Sequence, residues 1–257
     1  MRLKTVTICI ALSLFGFYAL LLLSLLAIVG SADLGAILTS PRTVSSIRLS
    51  VMAATLATLC SMVLAVPAGY ALSRYEFWGK RFIDLLLELP LVVTPVALGA
   101  MLLLFFNTAL GQMLAAQGVT FVFGFPGIVL AQFVTTAGLA TRMVKSTFDE
   151  ISPRFETVAC TLGATPVQAF FTVTLPMAQR GILAAMIITF AKCIGEFGAT
   201  IMLAGAMPMK TETLPISIFM RLGNADIQGM AVMILLLLTL GLSVILVLKA
   251  LLRVNYD

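Results

Sequence analysis

The 257-residue chain is 61% hydrophobic and only 11% charged, with a mean hydropathy of +1.12, a balance that excludes an ordinary soluble domain and makes lipid the expected solvent. It contains no histidine, which rules out a histidine-based triad or metal site, and Cys9, Cys60, Cys160 and Cys193 lack paired metal-ligand spacing and read as small packing residues. The formal charge of +5 fits nucleic acid only if it is not explained by the basic residues that flank membrane spans and set their orientation.

Apolar stretches at 6–29, 49–72, 85–106, 123–140, 181–204 and 229–252 are each long enough to cross, as a helix, a hydrocarbon core roughly 30 Å thick. The expected fold is therefore all-α: a polytopic bundle of six spans, one domain over 1–257. Arg2 and Lys4 precede the first stretch and small residues Gly30 and Ala32 follow it, as in a signal peptide. Its apolar run exceeds the roughly 7–15 residues of a signal core, so a retained helix is expected.

Six crossings put both termini on one side. Arg2, Lys4, Arg74, Lys80, Arg81, Arg142, Lys145, Arg154, Arg180, Lys249 and Arg253 fall on that side, against Arg42, Arg48, Lys210 and Arg221 on the other. The bias predicts cytoplasmic termini. It also explains the basic charge without nucleic acid.

Pro67 and Gly69 interrupt the second stretch, and Pro90 and Pro95 the third. Prolines five residues apart leave carbonyls of the preceding turns without amide partners and should bend the helix. A bent helix suits a gate; an ordinary transmembrane proline is the plainer reading.

The longest cytoplasmic loop, 145–178, begins like a helix at Ser152-Pro153-Arg154-Phe155-Glu156, with Ser152 as N-cap and Pro153 in the first turn. Gly163 can stop that helix. Thr165-Pro166 starts a second, expected to run to about Thr172 before Pro176. Ala159, Gly163 and Ala164 keep the surface of this platform low enough for another protein to approach closely. Further on, Lys192 and Glu196 lie four apart within the fifth stretch, on one helical face with Thr200 one turn beyond. Unpaired, a central charge costs about 2.5–3.5 kcal/mol to insert, so both should face the bundle interior or water. They read either as an ion pair fixing helix packing or as part of a polar gate.

Glu156 through Ala159 to Leu162-Gly163-Ala164, followed by Val173 and Leu175-Pro176, resembles the EAA loop of ABC importer permeases. Counted back from Gly163, the family's acid falls on Thr157 and its alanines on Val158 and Ala159, so Glu156 sits one residue early. Gly195-Glu196-Phe197-Gly198-Ala199-Thr200-Ile201 with Gly205 is similar to molybdate permeases and, less closely, sulfate permeases. Leu89-Pro90-Leu91-Val92-Val93-Thr94-Pro95-Val96 with Gly99 resembles their proline-containing gate helix.

The resemblance implies a type I ABC importer fold in a prokaryotic inner membrane, with Glu156, Ala159, Leu162, Gly163 and Ala164 in the ATPase-coupling helix. Pro90, Thr94, Pro95, Lys192, Glu196 and Thr200 then belong to the pathway or gate. It also implies a second copy of the permease, two copies of a separate ABC ATPase holding ATP and magnesium, and an extracytoplasmic oxyanion-binding protein. No Gly-x-x-x-x-Gly-Lys-Ser/Thr motif occurs, and Gly79-Lys80 lacks its flanking residues, so this chain is expected to hold no cofactor and hydrolyse no ATP. Molybdate is the expected cargo, with sulfate or tungstate as alternatives. A proton-coupled secondary transporter would also show six spans, but paired inverted repeats are not evident.

Overall fold

The computed structural model describes residues 2–30, 33–115 and 120–253, and among them every regular element is helical. In chain order these are α1 (Arg2–Val29), α2 (Leu34–Thr39), α3 (Pro41–Arg74), α4 (Lys80–Leu87), α5 (Leu89–Val92), α6 (Pro95–Phe106), α7 (Ala109–Ala115), α8 (Phe125–Asp149), α9 (Arg154–Thr161), α10 (Pro166–Ala169), α11 (Leu175–Ile194), α12 (Gly198–Ala204), α13 (Leu214–Gly223) and α14 (Ile227–Arg253).

At the centre, α3 packs along α8, and α11 lies against both. Ser40 caps α3 by accepting from the Thr43 amide, with Pro41 in the first turn. The buried face of α3 carries Ser46, Ser50, Ala53, Ala54, Ala57, Thr58, Ser61 and Ala65 at helical spacing. It meets Ile128, Thr136 and Ala140 of α8 and Ala178 and Ala185 of α11, all buried. Apolar burial drives little association between helices already in lipid, so small residues that let backbones approach, and hydroxyls that bond across the seam, take its place. The Ser61 and Thr136 hydroxyls lie 3.3 Å apart, and Thr136 Oγ1 lies 3.5 Å from Cys193 Sγ. Larger side chains, Phe148, Val144 and Met62, fill one end of the bundle. The outer surface presents Leu12, Phe15, Leu20, Val63 and Leu64, as a lipid-facing surface should.

Five helical segments are long and apolar enough to cross a membrane: Thr5–Val29, Pro41–Arg74, Phe125–Asp149, Pro166–Ile194 and Ile227–Val244. The expected span at 85–106 is not one helix. It is broken twice, at Glu88 and at the extended pair Val93-Thr94 (ψ 133° and 146°). Pro90 and Pro95 each stand in the first turn of the helix that follows a break, where a missing amide costs nothing. They start helices rather than kink one.

The stretch at 181–204 is also interrupted, between Ile194 and Gly198. Conversely, the break expected before Pro176 is absent. A π-helical turn at 170–174 joins α10 to α11, and Pro176 falls in the first turn of α11. The wider turn realigns the backbone so that the helix passes through the proline.

Candidate functional site

The segment from Glu150 to Thr174 folds as two short helices around a turn, and one carboxylate fixes it to the bundle. Glu156, in the first turn of α9, points inward. Its Oε1 accepts hydrogen bonds from Arg74 Nε (2.9 Å) and Thr174 Oγ1 (2.8 Å), and its Oε2 accepts from the Tyr70 hydroxyl (2.8 Å). Arg74 also donates through Nη2 to the Ile151 carbonyl at 2.8 Å. The end of α3, the end of α8, α9 and the start of α11 thus meet at one ion pair. The arginine side chain is 7% exposed and the glutamate 17%, so water screens the pair weakly. Burial alone would raise the Glu156 pKa; donation from Arg74, Thr174 and Tyr70 outweighs it and holds the carboxyl below the usual range. Tyr70 is held in place by edge contacts with the rings of Phe148 and Phe170, centroids 5.5 and 4.6 Å away.

The one-residue offset of Glu156 from the family's acid has a clear consequence here. Glu156 is the inward position, whereas Thr157 is exposed and its hydroxyl bonds back to the Pro153 carbonyl. The partners Tyr70, Arg74 and Thr174 were not singled out from the sequence as site residues. Arg74 read only as a topology marker, and nothing in the spacing linked it to a residue 82 positions away.

At the outer end of the platform, α9 closes with a Schellman motif. The Ala164 amide donates to the Ala159 carbonyl and the Gly163 amide to the Cys160 carbonyl, both at 3.1 Å. Gly163 sits at φ +99° with open space where a Cβ would be. The expected Thr165 cap is present as a capping box with Gln168. α9 itself begins at Arg154, one residue later than expected, with Ser152 Oγ accepting from the Arg154 amide at 3.4 Å. Ala159 and Ala164 are half-buried, while Phe155, Val158, Leu162 and Val167 face outward, Leu162 at 83% exposure. The tip of the loop is thus an exposed apolar cluster, the kind of surface that protein contacts use.

The second site is the crossing of the two interrupted stretches. α6 packs against α12 with backbones in contact: a Cβ on Gly99 would come within 2.7 Å of Ala199 Cα, and one on Gly198 within 3.0 Å of the Val96 amide nitrogen. Thr94 caps α6 by accepting from the Ala97 amide. Glu196 is buried, 6% exposed, and its Oε1 accepts from the Ala199 amide at 3.0 Å in the first turn of α12. Thr94, Pro95, Glu196 and Thr200 are therefore carried on the facing ends of α6 and α12, and Thr200 is fully buried with no hydrogen-bond partner for its hydroxyl among the described residues.

The expected pairing of Lys192 with Glu196 does not form. The helix stops at Ile194, so the four-residue spacing no longer shares a face, and among the described residues no ion pair joins them. Lys192 lies half-buried in the last turn of α11, where a cation suits the helix dipole. Pro90 stands apart on α5, which packs against α8.

A family model described as a binding-protein-dependent transport system inner membrane component matches residues 61–253. The chain is 36% identical over 179 residues to the molybdenum transport system permease protein ModB of Haemophilus influenzae, covering 68% of this chain and 78% of that one. It is 35% identical over 249 residues to a probable molybdenum ABC transporter permease protein of Haloferax volcanii, with 96% and 90% coverage. It is 32% identical over 192 residues to the sulfate transport system permease protein CysT of Salmonella typhimurium, with 74% and 69% coverage. In fold it is similar to a bacterial ABC transporter involved in importing the acidic polysaccharide alginate (TM-score 0.76, 16% identity, 95% of this chain and 93% of that one). It is also similar to the MetNI methionine ABC transporter in an inward-facing conformation (TM-score 0.59, 19% identity, 82% and 99%). The chain belongs to the family of binding-protein-dependent transport system inner membrane components, and is a membrane-embedded permease subunit of an ABC importer.

Proposed function

We propose that this permease imports a tetrahedral oxyanion, molybdate foremost, by alternating access, as one of two copies flanking a common path. The observation that carries the transport mechanism is the Glu156 anchor beneath an apolar tip. A loop that presents Phe155, Val158 and Leu162 outward while being tied to the ends of α3, α8 and α11 can transmit a push from a docked ATPase into several helices at once. On this reading the loop is cytoplasmic, both termini lie on the same side, and the interrupted 80–106 segment completes the sixth crossing. ATP and magnesium are held by two copies of the partner ATPase, and an extracytoplasmic binding protein delivers the anion to the opposite face. Closure of the ATPase dimer draws the two loops together and favours the outward-open path; hydrolysis releases it, since each ligand prefers one of the two conformations.

Lys192 supports the anionic cargo. An ammonium within an apolar stretch, with no carboxylate paired to it among the described residues and beside the exposed backbone break at Gly195, is tolerated only against water or protein. A cation in that setting favours a dianion passing along the break. Molybdate ranks above sulfate because molybdenum permeases stand among its relatives at slightly higher identity than the sulfate permease and, in one case, over nearly the whole chain.

The deciding experiment is ATP hydrolysis by the complex reconstituted with its ATPase and binding protein, with molybdate, tungstate or sulfate, and with Gly163→Asp in parallel. Molybdate should stimulate hydrolysis most, and Gly163→Asp should abolish that stimulation, because a side chain at φ +99° strains the turn that shapes the tip. Equal stimulation by sulfate would overturn the molybdate assignment. A fully stimulated Gly163→Asp complex would overturn the coupling role of the loop.

A further inference from the structure

Short helix α4 and the end of α8 face each other through two rows of opposite charge. Asp84 Oδ2 lies 2.6 Å from Lys145 Nζ, and Glu88 Oε1 lies 3.2 Å from Arg142 Nη1. Asp84 and Glu88 are one turn apart on the α4–α5 arm, and Arg142 and Lys145 one turn apart on α8, so the pairs form a ladder between antiparallel segments. Together with Ser146 and Asp149 they line a polar cleft of about 200 Å³. Above the ladder, the arm comes so close to α8 that a Cβ on Gly138 would collide with the Leu87 carbonyl. Below it, α8 runs directly into the anchored loop: Asp149 accepts from Ser73 Oγ at 2.6 Å, and the Ile151 carbonyl accepts from Arg74.

We propose that the Asp84–Lys145 and Glu88–Arg142 pairs are the linkage that carries movement of the 150–174 loop to the joint between α5 and α6. This rests on the importer reading above. The α4–α5 arm packs on the half of α8 that leads into the loop, whereas α6 packs on α12 through the Gly99 and Gly198 contacts, and both reach the other half of α8 near Ala131. The chain between the arm and α6 is Val93 and Thr94, both extended, beside Val92 at 83% exposure. Movement of the arm relative to α6 is taken up there, next to Pro95 and the facing end of α12.

Half-exposed ion pairs add little stability, and their contribution here is register. A one-turn slip toward the loop would bring Asp84 opposite Asp149, like charge against like. A slip the other way would leave Glu88 opposite Gly138 with no cation. Only the observed position on α8 keeps both pairs, and a contact held in one register passes on movement that a contact free to ratchet by a turn would dissipate.

The test uses the full complex in proteoliposomes and measures anion taken up per ATP hydrolysed. Asp84→Lys and Lys145→Asp should each lower that ratio at least tenfold while the ATPase still copurifies. The exchanged pair Asp84→Lys/Lys145→Asp should restore it to within threefold of the unaltered complex. Single reversals with an unchanged ratio, or an exchange no better than either single, would overturn the linkage. Should the reversals fail to assemble, Glu88→Cys/Arg142→Cys in a background without native cysteines gives a second reading. Joining the two thiols with a short bismaleimide should raise the ratio, since the link replaces the lost pair, and a fall on linking would show that arm and α8 slide past each other. An unaltered complex with no anion-stimulated hydrolysis removes the importer reading itself, an outcome distinct from all of these.

Discussion

Glu156→Ala removes the acceptor shared by Arg74, Thr174 and Tyr70 and leaves a guanidinium that is 7% exposed without its counter-charge. Breaking a buried pair from one side costs about 3–5 kcal/mol, which is more than a hundredfold in the equilibrium between docked and open loop. Glu156→Gln keeps one carbonyl oxygen for the neutral donors and should cost about 2 kcal/mol, the scale of a hydrogen bond to a charged group. The loss should be local, because the α3, α8 and α11 seam does not depend on the loop. Amide exchange in nanodiscs reads it directly: protection over 151–174 should fall by two orders of magnitude in Glu156→Ala, with α8 between Ala131 and Val144 unchanged. Arg74→Met should do similar damage, and Arg74→Met/Glu156→Met less than either alone, because apolar replacement of both partners leaves no stranded charge. Unchanged loop protection in Glu156→Ala, or a double variant worse than the sum of the singles, would refute the anchor.

Because the Glu156 carboxyl titrates below the usual range, its contribution is complete above the ordinary glutamate pKa of about 4.3 and is lost as pH falls through the lowered value. Loop protection should therefore be level from neutral pH to about 5 and decline below that, and the acid-dependent decline should be absent in Glu156→Gln. Gly99→Val places side-chain atoms where the α12 backbone lies, so uptake should be lost while ATPase copurification persists; normal uptake would show that α6 and α12 need no close contact. Lys192→Met and Glu196→Gln should insert normally and bind the ATPase, yet take up anion at least tenfold more slowly, and normal uptake in both would remove them from the path.

The membrane class, the spans near α1, α3, α8 and α14, and the two-helix loop with its Gly163 stop were legible because each rests on local physics: apolar length, caps, and a left-handed glycine. Interrupted spans were misread for the opposite reason. Hydropathy integrates over about 20 residues and is blind to whether the backbone within them is continuous, so 85–106 reads as one helix bent at its prolines and 181–204 as one unbroken helix. The signals for the breaks were present: Thr94-Pro95 is an N-cap followed by a first-turn proline, and Gly195 with Gly198 brackets a helix end. Pro90 and Pro95 read as a bend because a start signal inside an apolar run is rarely a start. The Glu156 partners were illegible for another reason, since which arginine meets a loop acid depends on how α3 lies along α8.

The two breaks meet each other, and this is what makes them tolerable. A backbone interruption within an apolar span exposes amides and carbonyls that lipid cannot satisfy. At the α6–α12 crossing two of the freed amides find acceptors within the protein: Thr94 and Glu196 each accept an amide from the helix that follows. Gly99 and Gly198 draw the two segments into backbone contact. The crossing is close, with Phe106, Ala199 and Leu203 packed beside the glycines, and the loop is held by a buried ion pair with three donors. On the proposed importer reading, an anchored loop at one end and a close crossing at the other leave relative movement to the extended chain between them, Val93-Thr94.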